Sequence, residues 1–137
     1  MKNSNKNREK LAKEWFSRAH DDELSIEDIL DSRDGAPSTV CFLSQQLAEK
    51  YLKGYLVYKG REFLKIHQLE RLIEMCADVD KGFNNLEADA SDLSAFYIST
   101  RYPGDFPDVD FKDAEKAYGS ATKIKNFVLS KVNEGDN

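Results

Sequence analysis

Apolar residues recur along most of the chain at a spacing of three to four, which is the period of an amphipathic helix. The spacing predicts helices over residues 7–30, 38–59, 68–77, 84–100 and 111–132, and it predicts no strand. The second helix should be central, because apolar positions cover more than half of its circumference. Short connectors imply antiparallel neighbours. The pattern therefore predicts an all-α fold, an up-and-down bundle of about five helices.

Glycine and proline residues mark the predicted breaks between these helices. Gly35 and Pro37 separate the first two helices, and Ser38 or Thr39 can cap the second. Gly60 ends the second helix. The later breaks and caps are expected at Gly82, Pro103 and Asp110.

Length and composition indicate one soluble, folded domain. The chain has 137 residues, of which 40% are hydrophobic and 33% charged, and this is enough to bury a core without disulfides or a metal. We take residues 1–137 as a single domain, with a core over about 7–132 and a polar tail over 133–137. The first 13 residues lack the apolar run of a signal peptide or a membrane span, so a cytoplasmic protein is expected.

The two cysteines, Cys41 and Cys76, lie in apolar helical surroundings. Such residues are usually reduced and buried, and we expect neither a disulfide nor a shared metal. No Cys-x-x-Cys or His-x-x-x-His spacing occurs in the chain. We therefore expect no metal site and no cofactor.

Charge is distributed unevenly, although the net charge is only −5. Residues 1–18 carry six Lys or Arg against two acids, and residues 78–115 carry ten acids against three bases. A single basic face for duplex nucleic acid is not expected from this distribution. A local pocket for one nucleotide or a short RNA stays open, and so does an acidic surface for a basic protein partner.

The most informative run is Gln45-Gln46-Leu47-Ala48-Glu49-Lys50-Tyr51-Leu52-Lys53. Its polar residues form i,i+4 pairs, such as Gln45 with Glu49 and Glu49 with Lys53. By spacing alone these pairs indicate a solvated helix face. The order of residues nevertheless closely resembles the second-helix signature of bacterial and archaeal HEPN domains (higher eukaryotes and prokaryotes nucleotide-binding).

Further elements of that family's pattern follow in the right order over about residues 11–132. They are Trp15 with Ala19 and Asp22, His67-Gln68-Leu69, and Tyr97 with Arg101-Tyr102-Pro103. The resemblance implies a helical homodimer that binds nucleotides, often paired with a minimal nucleotidyltransferase in a toxin–antitoxin-like system. It also implies a ligand site or partner interface formed by Lys50, Lys53, His67, Tyr97, Arg101 and Tyr102.

The chain departs from the pattern of HEPN ribonucleases, which carry an Arg, four to six residues, and then a His. No histidine follows Arg101, and Gln68 replaces the Asp that usually follows His67. Arg61 and His67 have the bare spacing, but in the connector after the second helix. The sequence therefore favours a binding module and leaves catalytic residues unknown.

Two other functions stay open at this point. A metal-independent endoribonuclease would need His67 with Arg101 or Arg61. A ligand-free helical adaptor would use the acidic segment 78–115 to dock a basic partner.

Overall fold

The structure is a computed structural model that describes residues 2–63, 65–97 and 108–135. In chain order the helices are α1 (Lys2–Ser32), α2 (Pro37–Tyr58), α3 (Leu69–Val79), α4 (Glu87–Ser94) and α5 (Phe111–Gly135), with a 3₁₀-helix at Lys81–Leu86 between α3 and α4. These ranges contain no strand. The predicted all-α bundle of five helices is confirmed.

Helix α2 is the centre of the bundle, as its wide apolar surface predicts. It contacts α1, α3, α4 and α5. Val40, Leu47, Leu52 and Leu56 are fully shielded from solvent on it. Because α2 touches every other helix, polar side chains on it face protein on most sides.

Helices α1 and α2 approach each other closely at Gly54. A Cβ atom at this position would lie 2.9 Å from Cδ1 of Phe16, and closer still to its Cε1. Phe16 also stacks on Tyr51, with ring centroids 5.3 Å apart. The absent side chain of Gly54 therefore lets an aromatic ring of α1 lie against the backbone of α2.

The two ends of α2 are set by proline and glycine. The helix begins at Pro37, with Ala36 as N-cap, so the predicted capping by Ser38 or Thr39 is wrong. Proline suits the first helical position, where its missing N–H would have no partner. The chain leaves the helix through Gly60, whose φ of +71° is the left-handed conformation that glycine adopts easily.

The fourth helix is shorter than the predicted range 84–100. Its first residues belong to the 3₁₀-helix, where the carboxylate of Asp80 accepts a hydrogen bond of 2.9 Å from the N–H of Gly82. That local cap starts a tighter turn than the α-helix. Helix α4 ends at Ser94, and residues 98–107 lie outside the described part of the chain.

Helix α5 begins with a reciprocal cap and is tied to α1 by an ion pair. Asp110 and Asp113 each accept a hydrogen bond from the other's backbone N–H, which confirms the predicted cap. Lys125 Nζ lies 2.5 Å from Glu23 Oε2. Burial tends to raise the pKa of Glu23, but Lys125 and then His20 outweigh it and hold that pKa below its usual value.

Cys41 and Cys76 are both buried, as predicted. No helix among those described is long and apolar enough to cross a membrane.

Candidate ligand groove

A row of polar side chains runs along the buried side of α2. Gln45, Glu49 and Lys53 are 0%, 7% and 4% exposed. The spacing of these residues indicated a solvated face, and that interpretation is wrong. Gln45 Nε2 donates to Glu49 Oε1 at 3.2 Å, and Lys53 Nζ donates to Glu49 Oε2 at 3.0 Å. The carboxylate is therefore compensated inside the protein by one amide and one cation.

The cation of Lys53 is enclosed by aromatic rings on its other side. Its Nζ lies 5.8 Å from the ring centroid of Trp15 and 5.2 Å from that of Phe63. These two rings meet edge to face, with centroids 5.6 Å apart. Because the ammonium is placed between a carboxylate and two ring systems, it is held in one position.

His67 joins this buried cluster to the surface. Its Nδ1 lies 3.1 Å from Glu49 Oε2, while 44% of its side chain is exposed. A carboxylate can only accept, so the proton of this hydrogen bond belongs to Nδ1. In the neutral ring, Nε2 is then the acceptor, and among the described residues it has no hydrogen-bond partner.

The exposed side of His67 stacks on Tyr97. The ring centroids are 5.4 Å apart and the planes are inclined by 15°. This contact brings the start of α3 against the residues that follow α4. Two of the predicted site residues thus lie together, and Glu49 holds the first of them.

A groove of about 330 Å³ opens beside the stacked pair. Its lining is mostly polar and uncharged, and consists of Gln45, His67, Gln68, Leu69, Glu70, Ser94 and Tyr97. The volume lies at the lower end of the range of about 300–1,000 Å³ found for small-molecule sites. Ring faces, amides and a hydroxyl are the groups that bind a planar heterocycle by stacking and hydrogen bonds.

Lys50 lies apart from this groove. Its Nζ is 2.6 Å from Asp22 Oδ2, which fixes it against α1. It lines a separate cavity of about 210 Å³ with Leu11, Glu14, Trp15 and Arg18. The predicted residues Arg101, Tyr102 and Pro103 lie outside the described residues.

The sequence interpretation missed the role of Glu49 as the centre of the cluster. Gln68 replaces the usual Asp of the motif, so the residue after His67 supplies no carboxylate to orient its ring. The structure supplies a carboxylate from α2 instead. The sequence did hold one indication that Glu49 is buried, since the apolar residues Ala48 and Tyr51 lie close to it on a helix with few solvent-facing positions.

Metal binding has no support in the ranges 2–63, 65–97 and 108–135. They contain no group of three or more His, Cys, Asp or Glu side chains arranged to hold an ion. The carboxylate of Glu49, next to the groove, is already engaged, since it accepts from Gln45, Lys53 and His67.

Comparison with known proteins supports one family. The model of the HEPN domain matches residues 12–132. The crystal structure of an archaeal HEPN homologue superposes with a TM-score of 0.71 at 24% sequence identity, covering 88% of this chain and 97% of that one. No curated protein matches the chain.

Proposed function

The chain belongs to the HEPN domain family, and on that basis we propose that it is a nucleotide-binding module acting with a protein partner. The proposed ligand is a nucleotide or short RNA whose base enters the groove beside His67 and Tyr97. The proposed partner is a minimal nucleotidyltransferase of a toxin–antitoxin-like pair, and the proposed active form is a homodimer. The partner and the dimer rest on the family resemblance, and the groove adds a physical reason for the ligand.

The observation that carries the proposal is the stacked pair of His67 and Tyr97 at the groove. The nearly parallel rings, with centroids 5.4 Å apart, both line the cavity. A base can add to such a stack in almost any sequence context, because every base has a π-face. Gln68 and Ser94 can then read its polar edge.

The phosphate is assigned to residues that follow Tyr97. Lys53 is buried in its pair with Glu49, and Lys50 is paired with Asp22, so neither supplies a free charge to the groove. Arg101 and Tyr102 are the nearest predicted anion ligands in the sequence. An arginine fork suits a phosphate because two of its N–H groups can donate in parallel.

Thermal unfolding of wild type and Arg101→Ala with ATP, GTP, their monophosphates and a short RNA tests this proposal. A ligand at about a hundred times its dissociation constant should add about 2.7 kcal/mol to stability. His67→Ala should lose this stabilisation, whereas His20→Ala, which removes an exposed histidine on α1, should retain it. Stabilisation that persists equally in His67→Ala and Arg101→Ala would exclude the groove as the site.

A metal-independent ribonuclease is the second candidate, and the pairing of His67 with Glu49 favours it. A carboxylate on Nδ1 orients an imidazole so that Nε2 can accept a proton. RNA cleavage should then survive EDTA and vanish in His67→Ala. Cleavage that persists in this variant would exclude the catalytic role. A ligand-free adaptor would show neither stabilisation nor cleavage, and would instead bind a basic partner through the segment 78–115.

A further inference from the structure

The outward face of α1 carries a segregated row of charges. Glu9 and Glu14 are exposed in the first half of this face, where they flank a narrower stripe. That stripe carries bases in its first half and acids in its second half, and all six residues are exposed: Lys6, Lys10, Lys13, Asp21, Asp28 and Asp31. They follow the helical period, so they lie on one stripe. Ser17 stands between the two halves, and Leu24, of which 54% is exposed, lies among the acids.

No other element of the described chain covers this stripe. Helix α1 packs almost entirely on α2 and touches α5 only slightly. The acids of α1 that face inward have partners, as Asp22 does in Lys50 and Glu23 in Lys125. The six residues of the stripe form no ion pair with any described residue. The inward acids of α1 are therefore neutralised within the chain, whereas the acids of the stripe are not.

The order of charges opposes the dipole of α1 itself. Residues 2–18 have a net charge of +4 and residues 20–34 a net charge of −6. A helix is stabilised by acids near its N-terminus and bases near its C-terminus. Helix α1 has no acid in its first turn and no base in its last. The pattern thus makes the isolated helix less stable, which indicates that it serves a contact outside the chain.

A second copy of α1 in antiparallel orientation complements the order of charges along this stripe. The basic half of each helix then lies against the acidic half of the other, and the two helix dipoles also oppose. With the two-fold axis beside Ser17 and Asp21, Lys10 of one copy faces Asp28 of the second copy, because both lie equally far from the axis. The contact is isologous, as in most homodimers.

We propose that the outer face of α1 is a self-association surface on which a second copy of this chain packs its own α1 in antiparallel orientation. The proposal rests on the homodimer of the proposed function and names its surface. Ser17 allows close approach at the axis, and Leu24 comes beside the aliphatic stem of Lys13. The contact is mainly electrostatic and should therefore weaken with salt.

Two charge-reversal variants, studied alone and as a mixture, test this arrangement. Lys10→Glu/Lys13→Glu leaves Lys6 as the one base of the stripe, and Asp28→Lys/Asp31→Lys leaves Asp21 as its one acid. Each variant alone should be monomeric in sedimentation velocity, because like charges meet at both ends. A mixture of the two should form a heterodimer. Both sets of changes suit the dipole of α1, so the variants should fold at least as well as wild type.

Two controls accompany the mixture. Lys65→Glu/Lys116→Glu makes the same change of net charge at exposed positions away from α1 and should leave the dimer intact. Raising salt from about 20 mM to about 500 mM should increase the dissociation constant of the wild-type dimer by about tenfold or more. Nucleotide stabilisation, measured on the same samples, reports on the groove separately from the dimer.

Several results would overturn the proposal. A wild type that stays monomeric at low salt, a dimer that persists in either charge variant, or a mixture that stays monomeric would each exclude this surface. If the lysine variant instead loses affinity for a short single-stranded RNA while its dimer is unchanged, the basic half serves nucleic acid rather than a second copy. Failure of the nucleotide arm alone would overturn the groove and leave the α1 surface standing.

Discussion

The carboxylate of Glu49 lies 3.1 Å from Nδ1 of His67, although 18 residues separate them in the chain. Glu49 is buried on α2 and His67 is exposed just before α3, so the contact connects the core of the bundle to its surface. This contact engages Nδ1 of His67 and leaves Nε2 as the ring nitrogen that can face a ligand. The same carboxylate holds Lys53, and a change in this one residue should therefore affect both stability and the groove.

Glu49→Gln should lower the free energy of unfolding by about 3 kcal/mol, because it leaves the cation of Lys53 buried without a counterion. Lys53 is only 4% exposed and cannot turn to solvent without displacing Trp15 and Phe63. Urea denaturation at neutral pH measures the loss. The double variant Glu49→Gln/Lys53→Met removes both charges and should recover much of it.

The exposed pair of Arg71 and Glu74 provides the control for this effect. Both side chains are more than half exposed, and such pairs contribute little because solvent screens them. Glu74→Gln should change stability by less than about 0.5 kcal/mol. Equal losses in Glu49→Gln and Glu74→Gln would mean that burial does not strengthen the Glu49–Lys53 pair.

The helices could be predicted from sequence because each one buries an apolar stripe of regular period. The cluster around Glu49 could not, since its burial depends on Phe63 and His67, which a connector brings onto α2. Spacing along one helix shows which side chains are neighbours but not what covers them. The 3₁₀-helix was missed for a local reason, namely the hydrogen bond between Asp80 and the N–H of Gly82.

Gly54→Ala should destabilise the protein by about 1–3 kcal/mol, although alanine is the better helix former. The new Cβ would lie 2.9 Å from Cδ1 of Phe16, and this ring is already stacked on Tyr51. The phenyl ring must therefore move, and the packing of α1 on α2 must loosen. Thermal or urea unfolding measures the difference.

Gly119 is the matched control, because it lies inside α5 and a Cβ there would meet nothing within 4 Å. Gly119→Ala should stabilise the protein by about 0.5–1 kcal/mol through helix propensity alone. If both alanine variants shift stability in the same direction, close packing at Gly54 is not what distinguishes the two sites.

The two cysteines should resist thiol reagents in the native protein. Burial, with a smaller effect of Asp113, raises the pKa of Cys41 to about 11, and burial also raises the pKa of Cys76. Neither thiol forms appreciable thiolate near pH 8, and both are fully shielded. Labelling by a disulfide reagent should be at least about a hundredfold slower than in urea-unfolded protein, since it must await opening of the structure.

An exposed thiol on the same scaffold calibrates that rate. Ser91→Cys places one on the solvent side of α4, where it should react at the rate of a free thiol. Native labelling of Cys41 or Cys76 as fast as that of the introduced cysteine would show that α2 or α3 opens readily.

Stability should fall in acid partly through Asp80. The backbone N–H of Gly82 is the main cause that holds the pKa of Asp80 below its ordinary value, burial opposes it, and Lys131 adds to it. A carboxyl group with a lowered folded pKa stabilises the protein above its unfolded pKa of about 4, and this contribution is lost as pH falls through the folded pKa. Asp80→Asn keeps an acceptor for Gly82 but cannot titrate. It should therefore be less stable than wild type by about 1 kcal/mol at pH 7, and the two should converge in urea denaturation near pH 2.

Asp78→Asn controls for the loss of one negative charge in the same segment. Asp78 accepts no hydrogen bond from Gly82, so its variant should stay closer to wild type at pH 7. The decisive comparison is the difference between wild type and Asp80→Asn at the two pH values. The charge contribution of Asp80 disappears when its carboxyl group is protonated. A difference in stability that persists unchanged in acid would therefore mean that Asp80 stabilises the turn by its packing and not by its charge.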